Sequence, residues 1–476
     1  MSKRVRPDGI ELEGKHMSDQ PRRVSRRQAL QLSMGGVLAG GGIIAQRRLG
    51  GGGGSVETVS PAAPGPLPLI GGAAESVRSI ATDGYMSYPG RRVRQPTLAW
   101  DGTDGYGYDS DRLDAGDGVY SFGFRTIYDH EVDGPSAFDA PIGELVGKFK
   151  GLVHHPSSIL GFSKNADVFI NMSNLGFEVR PDLDDAHTLH WHGFRQAVTV
   201  WDGVPEVSVS VPPTRDFPYY FGALDEGTYM YHCHFEDVEH VQMGMDGILY
   251  VNPVAGADHL YEDAPTQFDR QYGLLLNEVD LNPHDLLASV QEFTWSDYDA
   301  HYFVINGRSY PDTVRGSGDP GLETSPWYDS NSTLPLQPVS SLIQANQGDR
   351  VAIRLANLGY YYHEMQLAGI PITVYGKDAE RLWGPGGDLA YVTNTLDCSP
   401  GESRDAIFVA PAHSTNVPDD PPDIYLFKNR HVDRLVNGPD PANLAPNGLG
   451  GMVTEVHVYP AGTLPAQTEP NEIFPV

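Results

Sequence analysis

The residues between positions 187 and 245 bring together side chains that bind soft metals. The donors stand in two short runs, which read His187-Thr-Leu-His190-Trp-His192-Gly193 and Tyr231-His232-Cys233-His234, followed by His240 and Met245. Imidazole, thiolate and thioether donors suit copper, and two histidines, one cysteine and one methionine are typical of a blue electron-transfer site. The stretch therefore predicts copper binding.

The alternation of side chains along a strand predicts that these donors form two sites. Residues i and i+2 share a face of a strand, whereas residues i and i+1 do not. One set would meet inside a β-barrel, and it consists of His187, Cys233, His240 and Met245. The other set would cluster on the outer face, and it consists of His190, His192, His232 and His234. Because Cys233 is joined by backbone to both flanking histidines, an electron would have a short covalent route between the sites.

Short alternating or apolar runs bounded by Gly, Pro and Asn surround the donors and predict an all-β fold. In the first half the expected strands lie at 120–124, 145–150, 167–172, 217–221 and 247–252. A linker around 253–266 leads to further strands and turns at 272–278, 302–311, 348–357 and 399–405. No stretch has a long helical period, and one short helix at most is expected, within 286–298.

The start of the chain has the pattern of an export signal. Arg22-Arg23-Val-Ser-Arg26-Arg27 precedes an apolar, Gly-rich run at about 30–45, which predicts a twin-arginine signal over residues 1–49. The alternative is a basic arm that binds an acidic partner. Residues 50–95, rich in Gly, Pro and Ala at their start, predict a disordered linker.

The composition excludes some partners and indicates an environment. The chain has 476 residues with 33 basic and 62 acidic side chains, a net charge of −29. This balance argues against nucleic acid or an anionic membrane as partner, and it suits a salt-rich habitat, hence a halophilic source. Cys233 and Cys398 are the only cysteines, so a disulfide framework is not available.

Several motifs in one order resemble the first cupredoxin domain of the multicopper oxidases and copper nitrite reductases. They are HxxHxHG at 187–193, WDGVPEV at 201–207, GTYxYHCH at 227–234 and HxxxxM at 240–245, followed by Gly247. The resemblance implies a type 1 copper on the first donor set and a type 2/type 3 oxygen-reducing cluster on the four histidines of the second. Structural histidines near a core cysteine are the alternative. The segment from Cys233 to His240 is longer than in most laccases.

The resemblance extends over residues 97–460 and implies two cupredoxin-like Greek-key β-barrel or sandwich domains in tandem. We expect the first domain, with the type 1 copper, at 96–255 and the second at 256–476. In the family the second domain completes the cluster through one HxHG and one HxH motif. The residues expected at those ligand positions are Gln366, Ala368, Tyr425 and Phe427, with Leu426 in place of the cysteine. A complete oxygen-reducing cluster is therefore not expected.

Two histidines of the second domain, His363 and His431, match the imidazoles of a type 1 site by position. They either form buried hydrogen bonds or hold a second metal with a carboxylate. Further histidines that could enter the cluster are His154, His155, His413 and His457.

These features predict an exported copper oxidoreductase of the multicopper oxidase type. A small molecule or a redox protein would donate electrons, and oxygen or nitrite would accept them. Nitrite reductases use a carboxylate where this chain has His190, which favours oxygen. The family also implies a homotrimer, in which one subunit's first domain contacts its neighbour's second. The alternative is a non-enzymatic blue copper carrier or copper-binding protein, and counting the bound copper separates the two.

Overall fold

The structure, a computed structural model, describes residues 74–91, 118–195, 198–316, 334 and 336–474. All of them belong to one unit, Pro68–Val476. The predicted export signal and residues 50–73 and 92–95 of the predicted linker lie outside the described residues. Within the described part of the chain, no helix is long and apolar enough to cross a membrane.

Strands dominate the described residues, and three short α-helices interrupt them. The strands of the first half are β1 Ala74–Met86, β2 Val119–Ile127, β3 Leu160–Ser163, β4 Asp167–Asn174, β5 His190–His192, β6 Arg215–Gly222, β7 Gly227–His232 and β8 Asp246–Asn252. Those of the second half begin with β9 Arg270–Val279, β10 Tyr302–Ile305, β11 Ile343–Asn346, β12 Arg350–Asn357, β13 His363–Leu367, β14 Ile372–Lys377 and β15 Glu380–Arg381. They end with β16 Trp383–Gly384, β17 Gly387–Asp388, β18 Tyr391–Thr393, β19 Thr395–Cys398, β20 Ser403–Val409, β21 Asp423–Asn429 and β22 Val453–Tyr459. The helices are α1 Ile142–Phe149, α2 Asp237–Met243 and α3 Leu281–Ala288.

The first barrel packs two four-stranded sheets face to face. Their strand orders are β2-β1-β4-β6 and β3-β8-β7-β5. In the first sheet, β1 runs parallel to β4 and antiparallel to β2. Apolar side chains from both sheets fill the space between them, among them Phe122, Ile170, Trp191 and Leu249, each at most 1% exposed. This burial is the main stabilising contribution to the barrel.

The second barrel repeats this topology with additional strands. One sheet has the order β10-β9-β12-β20-β14-β15, with β18 beside β14, and the other has the order β11-β22-β21-β13-β19. Strand β9 runs parallel to β12 and antiparallel to β10, as β1 does to β4 and β2. The prediction of an all-β fold with two tandem barrels is confirmed.

A buried polar network joins the two barrels. The carboxylate of Asp405 on β20 accepts hydrogen bonds from the backbone and side chain of Thr228 on β7 and, at 2.7 Å, from the hydroxyl of Tyr261. Arg354 on β12 lies 3.5 Å from the same carboxylate, and its guanidinium stacks 4.5 Å from the ring of Tyr250 on β8. Arg354 and Asp405 are fully buried, so each charge depends on the other.

The start of the folded region requires a correction. Residues 74–91 lie within the segment predicted as a disordered linker, but β1 pairs with β2 and β4 in the middle of a sheet. The first barrel therefore includes residues 74–91, which precede the start expected at residue 96. A central strand is covered on both faces and need not alternate, and β1 also buries Arg78 and Asp83.

Two local predictions also differ from the structure. Residues 145–150 were expected as a strand, but residues 145–149 belong to helix α1, and Lys150 follows its end. The buried residues of the helix, Leu145 and Phe149, are one helical turn apart, whereas Gly147, which would share their face in a strand, is exposed. The helix expected within 286–298 begins earlier, because the Asp280 side chain accepts a hydrogen bond from the Asn282 amide and caps helix α3 at 281.

Candidate metal centres

Three donors of the first predicted set converge inside the first barrel. Sγ of Cys233 lies 3.2 Å from Nδ1 of His240, and Nδ1 of His240 lies 3.4 Å from Nδ1 of His187. All three side chains are 0% exposed. A tetrahedral metal with bonds of about 2.0 Å to imidazole separates neighbouring donors by roughly 3.3 Å. The spacing of these atoms therefore fits one shared metal ion.

Backbone hydrogen bonds bring the ends of the segment 233–245 together. The amide of Cys233 donates to the carbonyl of Met245 at 3.0 Å, and the amide of Met245 donates to the carbonyl of His240 at 2.9 Å. Gly244 closes helix α2 with φ +113°, a left-handed conformation that favours glycine, and a Cβ there would lie 2.6 Å from Nδ1 of His155. Met245, which is 0% exposed, thus lies beside Cys233.

Burial sets the charge state of these donors. It raises the pKa of the Cys233 thiol to about 12 and lowers the pKa of His187 to about 3. The imidazole is therefore neutral, as a metal ligand must be, and the thiol loses its proton only when a cation compensates the charge. A hydrogen bond from the Thr188 amide, 3.4 Å from Sγ, would further stabilise a thiolate.

The four histidines of the second predicted set also cluster. His190 and His232 are directly paired across β5 and β7, and their ring centroids are 5.1 Å apart. The ring of His234 is 5.1 Å from that of His190, and the ring of His192 is 5.7 Å from that of His232. One nitrogen each from His190, His192 and His232 lie within 4.8 Å of one another.

Hydrogen bonds orient two of these rings for coordination. Nδ1 of His190 donates to the carbonyl of Asp202 at 2.6 Å, and Nδ1 of His232 donates to the carbonyl of Cys233 at 3.0 Å. A proton held on Nδ1 leaves the lone pair on Nε2 for a metal. Burial lowers the pKa of His190, of His192 and, to about 3, of His232, so these imidazoles are neutral.

The second barrel contacts the edge of this cluster. A Cβ atom at Gly401, in the turn between β19 and β20, would lie 3.2 Å from Cε1 of His192. Gly401 has φ +78°, so the turn itself favours glycine there. Together with the sheet pairing of the first barrel, this contact holds His192 in place.

A further pair of carboxylates next to the first donor set was not foreseen. Asp185, Glu239 and one nitrogen of His240 lie within 4.8 Å of one another. A carboxylate beside a ligating imidazole fixes its tautomer and raises its basicity. The acidic residues of the segment 236–239 were visible in the sequence, but the approach of Asp185 depends on folding.

The second barrel requires a correction to the predicted replacements. In the first barrel His190 on β5 pairs with His232 on β7, and His232 comes directly before Cys233 in the chain. In the second barrel the matching pair across β13 and β21 is Gln366 and Lys428. Gln366 and Ala368 thus occupy the expected positions, and Lys428 stands where the first barrel has His232.

Asn429 consequently occupies the cysteine position of the second barrel. Its amide donates to the carbonyl of Met452 at 3.0 Å, as the amide of Cys233 donates to that of Met245. The assignment of Tyr425, Leu426 and Phe427 to these positions was wrong by three residues, because only the strand pairing reveals the register. The matching positions carry Lys428, Asn429 and Arg430, so the four expected histidines are still absent.

The two remaining histidines of the second barrel do not share one environment. His363 is buried. Its Nε2 is hydrogen-bonded to Glu278, and its Nδ1 lies 2.9 Å from the side-chain nitrogen Nδ2 of Asn429. The side chain of His431 is 41% exposed and lies 3.8 Å from Glu364. Among the described residues, neither belongs to a group of side chains able to share a metal. The same holds for His154, His155, His413 and His457.

Comparisons with known proteins agree with the fold and show what the first barrel resembles. Residues 154–256 match the family model described as multicopper oxidase. The chain is 26% identical over 257 residues to Laccase-5 of Arabidopsis thaliana, covering 53% of this chain and 37% of the relative. It is 31% identical over 257 residues to Putative laccase-17 of Oryza sativa subsp. japonica, covering 53% and 39%. The chain thus spans less than half the length of these relatives.

A solved structure supports the fold over a larger part of the chain. The Blue Copper Oxidase from Nitrosomonas europaea aligns with a TM-score of 0.53 at 20% sequence identity, covering 80% of this chain and 85% of that one. The barrels are thus tandem cupredoxin domains. Residues 154–256 thus resemble the multicopper oxidase family, whose members bind copper.

Proposed function

We propose that this protein is a copper-dependent oxidoreductase that takes electrons from a small-molecule or redox-protein donor and delivers them to oxygen. The observation that carries the proposal is the convergence of two groups of three donors near one strand end, namely His187, Cys233 and His240, and His190, His192 and His232. Cys233 belongs to the buried set, and its backbone neighbours His232 and His234 belong to the other. A copper oxidoreductase requires such a covalent connection between an entry site and an exit site.

The buried set would hold a type 1 copper through His187, Cys233, His240 and Met245. The partly exposed set would hold further copper through His190, His192, His232 and His234. Copper bound at these positions supplies reversible one-electron chemistry between the donor and the acceptor.

The protein's own groups prepare both sites. Complete burial of His187 and His240 keeps water from the first site, and the carbonyl of Asp202 fixes the proton of His190 on Nδ1. The Cys233 thiol must release its proton when metal binds, so copper uptake is expected to strengthen as the pH rises.

Oxygen is the favoured acceptor because His190 stands where nitrite reductases carry a carboxylate. The second barrel offers Gln366, Ala368, Lys428 and Arg430 at the positions that would complete a three-copper cluster. An ammonium or a guanidinium cannot bind copper, and an amide binds it weakly. We therefore propose fewer than three coppers at the second site and weak four-electron reduction of oxygen to water.

A non-enzymatic blue copper carrier is the second candidate, and the incomplete cluster favours it. One copper per chain without oxygen uptake would establish the carrier, whereas two or more with uptake would establish the oxidoreductase.

The setting of the protein is part of the proposal. The Arg22-Arg23 segment supports export through the twin-arginine pathway, and the net charge of −29 supports a salt-rich environment.

We also propose a homotrimer, since the four-histidine face is partly exposed in the single chain. Light scattering over a range of salt concentrations tests this, and a monomer throughout would contradict it.

The activity is tested by oxygen uptake with a laccase-type donor on copper-loaded protein. We expect uptake by the wild type and its loss in a His232→Ala variant. His130→Ala is the matched control, because His130 is exposed and belongs to neither donor set. Uptake that His232→Ala leaves unchanged would contradict the proposed role of the four histidines.

A further inference from the structure

Helix α2, Asp237–Met243, carries His240 and contacts the second barrel at two points. Nε2 of Gln242 donates to the carbonyl of Glu278 on β9 at 3.3 Å. The hydroxyl of Tyr360, in the loop between β12 and β13, donates to the carbonyl of Val238. These contacts lie on either side of His240 in the sequence. The second barrel thus holds the segment that supplies a donor to the first.

The helix needs such support, because its own sequence gives it little stability. It has seven residues, and Glu236 at its N-cap position is left-handed and makes no side-chain capping hydrogen bond. Helices shorter than about 12 residues are marginal in water without tertiary contacts. The position of His240 relative to Cys233 therefore depends on what packs against the helix.

Glu278 links both contacts to the interior of the second barrel. Its carboxylate accepts a hydrogen bond from the amide of Tyr360 at 2.6 Å and another from Nε2 of His363. Glu278 is 3% exposed and His363 is 0% exposed. A buried carboxylate is strongly held by its partners, because losing one of them leaves charge unsatisfied. This arrangement fixes the backbone at both Glu278 and Tyr360.

The chain of hydrogen bonds continues to the residues that match the copper donors. Nδ2 of Asn429 donates to Nδ1 of His363 at 2.9 Å and to Sδ of Met452 at 3.2 Å. The orientation of the amide is fixed, because its Oδ1 accepts from the amide of His431 at 2.9 Å. Nδ1 of His363 must then accept, so the ring proton is on Nε2, facing Glu278. Each polar atom of this set has a partner within the protein.

We infer that Glu278 and Tyr360, held by the His363–Asn429 pair, are positioning residues for the copper site of the first barrel. The residues that match the copper donors in the second barrel form a rigid hydrogen-bonded support for helix α2, and through it for His240. This inference rests on the proposed type 1 copper. Residues that support a ligand from outside the coordination sphere typically contribute about 10 to 100-fold in metal affinity.

The test compares Tyr360→Phe with Tyr362→Phe in the full-length chain. The first substitution removes the hydroxyl that contacts helix α2. The second removes an exposed hydroxyl that donates to Glu364 at 3.2 Å and does not reach helix α2 in the described residues. We expect Tyr360→Phe to shift the visible thiolate-to-copper band and the reduction potential, and to weaken copper binding by about tenfold. Tyr362→Phe should leave all three unchanged.

Glu278→Gln is the second variant, since it keeps the shape of the side chain and removes its charge. We expect it to alter the same band while the copper content at saturation stays that of the wild type. A wild type with the blue band whose position, potential and affinity are unchanged in Tyr360→Phe and Glu278→Gln would overturn this inference alone. A copper-loaded wild type without any blue band would overturn the copper assignment and this inference with it.

Discussion

The two barrels share one topology but carry different residues at one matching interior position, Cys233 in the first barrel and Asn429 in the second. In the first barrel, the residue after the paired strand end is Cys233, whose Sγ lies 3.2 Å from Nδ1 of His240, and that nitrogen lies 3.4 Å from Nδ1 of His187. In the second barrel that residue is Asn429, and it donates hydrogen bonds to His363 and Met452. One arrangement leaves donors for a metal, whereas the other satisfies its polar atoms internally.

The difference shows that the cupredoxin fold does not require a metal to fill this position. Glu278 reaches His363 from strand β9, so a carboxylate and an amide can satisfy an imidazole in the same interior. In the first barrel the residue that matches Glu278 by strand pairing is Asp83, which accepts from the amides of Glu178 and Val179. This shorter side chain accepts from these two amides and from the Tyr120 hydroxyl, and not from a histidine.

Removing the thiol of the first barrel is expected to have the largest effect on the copper site. Cys233→Ser should abolish the intense visible band entirely and leave the protein folded, because the hydroxyl is close to the thiol in size and burial is unchanged. Absorption spectroscopy of copper-loaded protein measures the effect. Cys398→Ser is the matched control, since Cys398 is a buried thiol of the second barrel whose Sγ contacts the carbonyl of Glu402 at 3.1 Å. A band that survives Cys233→Ser, or disappears in Cys398→Ser, would disprove the assignment.

The junction between the barrels is expected to give the largest change in stability. Asp405→Ala leaves the buried guanidinium of Arg354 without its carboxylate and removes the acceptor of Thr228 and Tyr261. Breaking such a pair costs about 3–5 kcal/mol of unfolding free energy. Chemical denaturation measures it, with Asp285→Ala, an exposed carboxylate paired to Arg91, as control. A loss no greater than that of the control would show that the barrels do not depend on this contact.

We expect acid to lower the free energy of unfolding through His155. This residue lies between Gly244 of the first barrel and Gly307 of the second. Burial, with His284 nearby, lowers the pKa of His155 from 6.5 to about 4. The unfolded chain therefore binds a proton before the folded chain does, and stability falls as the pH decreases from 6.5 toward 4. The expected contribution is about 1.4 kcal/mol per pH unit, up to roughly 3 kcal/mol.

The measurement for His155 is the unfolding free energy between pH 4 and pH 8 in the wild type and in His155→Gln. The variant has no ionisable ring at this position, so its free energy of unfolding should depend less on pH below 6.5. Equal acid sensitivity of the two proteins would show that another group controls the loss.

Introducing a thiol into the second barrel is expected to have the smallest effect. Asn429→Cys places sulfur where the first barrel has Cys233, but no second imidazole is grouped with His363 among the described residues. We therefore expect no additional blue copper, as measured by copper content and absorption beside Asn429→Ser. A second intense band would show that the second barrel retains a usable donor set.

How far the sequence predicts the site depends on the range of the interactions. Strand alternation within the short runs at 187–193 and 231–234 predicted which donors would share a face, and three donors of each set lie together. The cysteine position of the second barrel was misplaced by three residues, because no motif marks it and only the pairing of Gln366 with Lys428 fixes the register. Glu278 could not be foreseen, since it lies 85 residues before His363 in the chain.

The predicted fold shows the same limit. Strands such as β4 and β8 were located from their apolar residues. Strand β1 was missed because polar residues interrupt its apolar ones. Its buried Arg78 depends on Ser173 and the Phe138 carbonyl, which are distant in sequence. Only folding brings these partners together, so the local sequence around Arg78 does not predict them.

The most direct test of the difference between the barrels is a copper titration of the metal-free, full-length protein, followed by absorption and electron paramagnetic resonance. We predict that the blue band saturates at one copper per chain, on Cys233, and that further copper binds without adding to that band. In a His190→Ala, His192→Ala variant the further copper should be lost and the band retained. A band that continues to grow beyond one copper per chain, or a protein that binds copper without any blue band, would contradict the account.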